Sequence, residues 1–200
     1  MKPQKGLLTF MAEGNNTPTS QYYSRKLHWP GISSKCSIYR SGVTLGRGYD
    51  MKYRTVDEIV NDLTYAGIPN EKARAIAKGS KKHSCSARDF VIENRNKITD
   101  ITEIQQLNLF TLTYSRYEKD SIRFYNKYKI ATSALWEVLN PILKDVLVDM
   151  KYQGVLSFVM VPIFGLNSKD KVIELLKNDR VSTLYEASRG RISYIERSMQ

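Results

Sequence analysis

Residues 41–51 read Ser41-Gly42-Val43-Thr44-Leu45-Gly46-Arg47-Gly48-Tyr49-Asp50-Met51. The segment predicts a β element over Gly42 to Tyr49, placing Thr44, Gly46 and Gly48 on one face with only the Thr44 side chain projecting there. Its glycines let a backbone pass close to a ligand. The Gly-x-Gly step is no dinucleotide fingerprint, because no βαβ unit surrounds it. Upstream, residues 14–43 hold Asn15-Asn16-Thr17-Pro18 and Pro30-Gly31 and lack a helical period, which predicts loop with a short β segment around Ser37 to Arg40.

On either side of this stretch the chain reads helical. Leu7, Leu8, Phe10 and Met11 share one face of a short helix that Gly14 stops just after Glu13. Thr55 with Glu58 forms a capping box ahead of Val56, Ile59, Val60 and Leu63. Asn70 opens a helix through Ala73, Ile76 and Ala77 that Gly79 closes; Ser86 with Asp89 starts another, and Thr102 with Gln105 a longer one through Tyr114. Asn140-Pro141 caps a helix from Ile142 to Tyr152. The apolar run Gly154 to Phe164 predicts a buried central helix kinked or ended by Pro162, and Ser168 to Asn178 and Val181 to Ser198 complete the set. The fold class is α+β, and with no repeat or linker a single domain over 1–200 is expected.

The chain carries 31 Lys and Arg against 20 Asp and Glu, a net charge of +11 that favours a polyanionic partner without choosing among nucleic acid, anionic membrane and cell wall. Basic residues run along the whole chain, with one short cluster at Lys78, Lys81, Lys82 and His83. No apolar run approaches the roughly 20 residues of a membrane span. The basic start, followed by a short apolar stretch ending in Glu13, reads as part of the fold rather than as a cleaved signal. Cys36 and Cys85 allow one disulfide at most and are read as unpaired thiols; with His28 and His83 they match no zinc spacing, so neither metal nor cofactor is expected.

Between Glu13 and Asp50 there is no Asp or Glu, while Arg25, Lys26, Lys35, Arg40 and Arg47 all fall there. Glycoside hydrolysis takes two carboxyl groups, one protonated to donate to the leaving oxygen and one ionised to activate water or attack. Glu13, at the end of a helix against the β region, suits the first role if burial keeps its proton. Asp50 is the first carboxylate available for the second, and the Thr44 hydroxyl beside a clear groove could hold water.

The run Phe10-Met11-Ala12-Glu13-Gly14, then Trp29-Pro30-Gly31, then residues 41–51 with Arg54-Thr55, resembles the pesticin-like catalytic domains within the phage-lysozyme-like muramidases. The resemblance is specific over residues 10 to 55 and looser beyond, at Tyr152-Gln153-Gly154 and at a final helix bearing Arg189, Arg191 and Arg197. It implies a lysozyme-like fold with an N-terminal helix and small β region beside a helical lobe. It implies Glu13 as general acid, Thr44 as the water-positioning hydroxyl and Asp50 as general base. Tyr49 and Gln153 are its expected substrate contacts, and Arg191 the expected partner of Glu13. In the phage lysozymes proper the catalytic Asp precedes the Thr strand; here it follows, as in the pesticin-like domains.

The expected activity is a muramidase that cuts between N-acetylmuramic acid and N-acetylglucosamine with inversion, as an antibacterial toxin or phage endolysin. Peptidoglycan strands are the expected partner, nucleic acid is not, a monomer is expected, and a cognate immunity or inhibitor protein is left open. The site of action is the periplasm or wall of a target bacterium, reached by a secretion system or phage lysis. The competing readings are a lytic transglycosylase using Glu13 alone, a chitinase-like enzyme, and an inactive cationic module that binds wall or nucleic acid.

Overall fold

The computed structural model describes residues 1–199. In chain order its elements are α1 (Leu7–Ala12), β1 (Thr44–Leu45), β2 (Tyr49–Asp50), α2 (Val56–Tyr65), α3 (Asn70–Ala77), α4 (Ser84–Asn94) and α5 (Glu103–Tyr128), followed by α6 (Pro141–Gln153), α7 (Val161–Gly165), α8 (Lys169–Asn178), α9 (Arg180–Arg189) and α10 (Arg191–Ser198). The class is α+β, mostly helical with one small antiparallel sheet. The chain carries no linker, yet it gathers into two compact units: residues 1–3 with 13–113, and residues 4–12 with the chain from Tyr114 onward.

In the first unit, the segment expected as one strand is a hairpin. β1 and β2 pair with Thr44 opposite Asp50 and Leu45 opposite Tyr49. Gly46 and Gly48 take φ of 59° and 83°, left-handed values that only glycine adopts without strain, and these turn the chain back on itself. Thr44, Gly46 and Gly48 therefore do not share a strand face. The hairpin buries Val43, Leu45, Tyr49 and Met51 in a core with Ile59 and Leu63 of α2, Ile76 of α3 and Leu109 of α5. Two of the capping boxes read from sequence are present: Thr55 N–H donates to Glu58 at 2.6 Å, and Thr102 N–H donates to Gln105 at 2.9 Å. The start expected at Ser86 with Asp89 instead lies inside α4, which begins at Ser84 and where the Ser86 hydroxyl donates to the His83 carbonyl at 2.8 Å.

No strand forms at Ser37 to Arg40. A short 3-10 turn at Ser33–Lys35 occupies this loop, and a disulfide joins Cys36 to Cys85 in α4, which corrects the expectation of two unpaired thiols. With its ends 49 positions apart in sequence, the cross-link removes chain entropy from the unfolded state worth about 4 kcal/mol.

In the second unit, α1 packs on α6 and α9, while α10 packs on α6 and α8. The expected central helix over 154–164 does not form. Gly154 ends α6 in a left-handed cap, Phe158 and Val159 are more than half exposed, and Pro162 lies in the first turn of the short α7, where its missing N–H costs nothing. The single helix expected over 181–198 breaks at Gly190 into α9 and α10. Asp149 of α6 is fully buried and accepts from Arg191 Nε at 2.7 Å and Arg189 Nη1 at 3.3 Å. Among the described residues, no helix is long and apolar enough to cross a membrane.

Removing one partner of a buried ion pair leaves the other charge without compensation, at a cost of about 3–5 kcal/mol. Asp149→Ala is expected to lower the urea midpoint accordingly. A loss under about 1 kcal/mol, the level of an exposed pair, would show that water reaches the two arginines.

Candidate functional site

Thr44 and Asp50 face each other across the base of the hairpin. Both oxygens of the Asp50 carboxylate are held by backbone amides, Oδ2 by Gly42 N–H at 3.1 Å and Oδ1 by Lys52 N–H at 2.7 Å. Gly42 makes this possible, because a Cβ there would lie 2.2 Å from Asp50 Oδ1 and 2.7 Å from Lys52 Cβ. The glycine thus clears space for the Asp50 carboxylate. Thr44 is buried, and its hydroxyl donates to the Gly42 carbonyl at 3.2 Å. With its proton committed, the oxygen still offers a lone pair to a water molecule.

His28 borders the other edge of β1, exchanging backbone hydrogen bonds with Thr44 at 2.9 Å in both directions. Burial is the main cause that pushes its imidazole below the ordinary value, and the charges of Lys26 and Arg95 add to this, against the Lys26 carbonyl and Asp50. Its Nδ1 lies 2.9 Å from the Lys26 carbonyl, so in the neutral ring Nδ1 is the donor and Nε2 the acceptor. Sequence reasoning considered His28 only as a zinc ligand.

At the opposite end of the hairpin, the turn residue Arg47 is buried and donates to the Gly14 carbonyl. Desolvation lowers its guanidinium to about 10, and the carboxylates of Glu13 and Glu103 partly oppose that shift. Glu13 is half-buried and directly follows α1. Its loop folds back as Asn15 N–H donates to the Tyr22 carbonyl and Ser24 N–H to the Asn15 carbonyl, and the buried Gln106 fastens it by accepting from the Ser24 hydroxyl at 2.7 Å and donating to Asn16 at 2.7 Å. One hairpin therefore serves both carboxylates, with its turn at Glu13 and its base at Asp50.

Three expected site residues have other roles. Tyr49 is 1% exposed, so it offers no substrate contact; its hydroxyl donates to Asp62 at 2.8 Å beneath the Arg54 guanidinium. Arg191, expected to pair with Glu13, is fully buried on Asp149 and donates from Nη2 to Gln153 Oε1 at 2.5 Å, and that bond also occupies the expected substrate contact of Gln153. A cation whose field reaches Glu13 is Arg47, which the sequence shows only as one of five basic residues between Glu13 and Asp50, because a turn arginine carries no sequence sign of burial. A shallow hollow beside α8, lined by residues such as Ile163, Leu175 and Asn178, carries the exposed Lys171–Glu174 pair as its charged chemistry.

Gly42→Ala tests the seating of Asp50. The added methyl is expected to swing the carboxylate off the Gly42 amide and to cost about 1–3 kcal/mol, the range for overpacked sites. Urea unfolding and a crystal structure of the variant would measure both, and an unmoved Asp50 at full stability would refute the packing argument.

The model of a family described as a domain of unknown function, DUF8812, matches residues 6–160. No curated protein matches the chain. The matched span contains Glu13, the whole hairpin with Thr44, Arg47 and Asp50, and the disulfide. The chain belongs to the DUF8812 family.

Proposed function

We propose that this protein is a peptidoglycan hydrolase of the muramidase type, with a lysozyme-like fold akin to the pesticin-like domains. The observation that carries the reading is the hairpin that serves two carboxylates in different settings: Glu13 near a buried guanidinium at the turn, and Asp50 fixed by two amides at the base. In the proposed reaction Glu13 gives its proton to the glycosidic oxygen as the bond to the anomeric carbon breaks. A water molecule donates one hydrogen to the Thr44 oxygen and the other to Asp50, and its lone pair attacks the opposite face of the sugar. Asp50 takes that proton as the new bond forms. Such a sequence inverts the anomeric centre, so the β-linked strand yields an α-product.

The disulfide supports a site of action outside a reducing cytoplasm, since such bonds persist in oxidising compartments. The net charge of +11 favours approach to an anionic wall, within a screening length of about 8 Å at physiological salt. A periplasm or wall is therefore the proposed place of work, with delivery by secretion system or phage lysis.

Incubation with purified sacculi tests the reading. New reducing ends are expected, and Glu13→Gln is expected to lower their release by roughly 100- to 10,000-fold, the usual worth of general acid catalysis. A folded Glu13→Gln protein as active as the parent would end the assignment. Proton spectroscopy of the first product on a soluble glycan is expected to show the α-anomer; an initial β-anomer would make Asp50 a nucleophile or a bystander. Anhydro-muramic products would instead mark a transglycosylase.

A further inference from the structure

The basic cluster at Lys78 to His83 lies against the base of the hairpin. Lys81 N–H donates to the Met51 carbonyl at 3.1 Å, Gly42 bridges to His83, and Ser84 N–H donates to the Ser41 carbonyl at 3.0 Å. Gly42 is also the residue whose amide holds Asp50. Lys81 and Ser84 take φ of 58° and 55°, two of the three left-handed non-glycine residues described, so a strained backbone brackets Lys82 and His83. Lys81 and His83 are exposed, the half-buried Lys82 holds its ammonium 5.9 Å from the centre of the Phe90 ring, and Lys52, two residues after Asp50, holds its own 4.7 Å from the centre of the exposed Tyr53 ring.

Among the described residues, Lys52, Lys81 and Lys82 form no ion pair. The nearby acids are otherwise engaged, Asp50 by two amides and Asp89 by Arg88 at 2.6 Å. A ledge of uncompensated cations therefore adjoins the carboxylate that serves the bond. In the intact strand the lactyl carboxyl of each muramic acid is tied up in the amide to its peptide stem, and amidase stripping leaves that single carboxylate in place of those of the stem. The carboxylates of peptidoglycan lie on the peptide stem attached to each muramic acid.

We infer that Lys52, Lys81, Lys82 and His83 form a subsite for the carboxylates of the peptide stem, so that the enzyme selects stem-bearing over bare glycan. This rests on the muramidase reading above and adds a specificity determinant to it. The positive ammonium groups meet the stem carboxylates beside Asp50, with the Tyr53 ring in contact with the Lys52 ammonium.

The test compares purified stem-bearing glycan strands with the same strands stripped of peptide by an amidase, using the parent protein and Lys81→Asn/Lys82→Gln. Asn tolerates the left-handed backbone at position 81, and Lys82→Gln alone provides the same readout should the double variant fold poorly. The parent is expected to favour stem-bearing strands by roughly tenfold in kcat/KM, a preference that salt weakens. In the variant that ratio is expected to fall towards one, with the change appearing in KM for stem-bearing strands. Equal turnover of both substrates by the parent, or an undiminished preference in the variant, would overturn the subsite while leaving the muramidase reading intact. Cleavage of neither substrate would overturn both.

Discussion

A guanidinium with almost no access to water sits at the turn of the hairpin. Burying such a charge is unfavourable unless carbonyls and carboxylates surround it, and Arg47 has the Gly14 carbonyl with the fields of Glu13 and Glu103. That requirement ties the loop after α1 to the turn at residues 46–48. Once the turn is fixed, the register of Thr44 against Asp50 follows, and with it the placement of the Gly42 amide under the carboxylate. The core beneath supplies bulk stability through Leu45, Tyr49 and Met51, but it does not decide where the polar groups point.

Several helix starts were readable from a local rule, although α4 begins at Ser84, ahead of the Ser86 and Asp89 signal. Thr55 with Glu58, Thr102 with Gln105 and Asn140 with Pro141 act within one turn of chain, so sequence alone locates those helix starts. Where two local signals compete, reading fails. The run from Gly154 to Phe164 is apolar throughout, which suggests a helix, yet Gly154 and Pro162 divide it. At residues 42–49, alternation suggested one strand, while glycines in left-handed conformation made a turn.

The surroundings of the candidate residues were less legible for a related reason. Glu13, Thr44 and Asp50 stand out because their residue types and order match a known pattern. Their partners depend on distant parts of the chain that no spacing rule connects: Asp149 draws in Arg191 across 42 positions, Tyr49 points inward to Asp62, and Cys36 finds Cys85. Long-range pairing of this kind is set by burial, which a single sequence reveals only on average.

The cross-link between Cys36 and Cys85 also has a topological consequence. It closes a covalent ring that contains both strands of the hairpin together with α2 and α3. A single peptide-bond cut anywhere inside that ring opens a loop without producing two separable fragments. If the cut falls before Asp50, the aspartate remains tethered through the sulfur bridge to the piece that carries Glu13. If it falls after, the backbone itself still joins them. A protease must therefore cut outside the ring, between residues 13 and 36, or reduction must precede a cut within it, before the two carboxylates can part company.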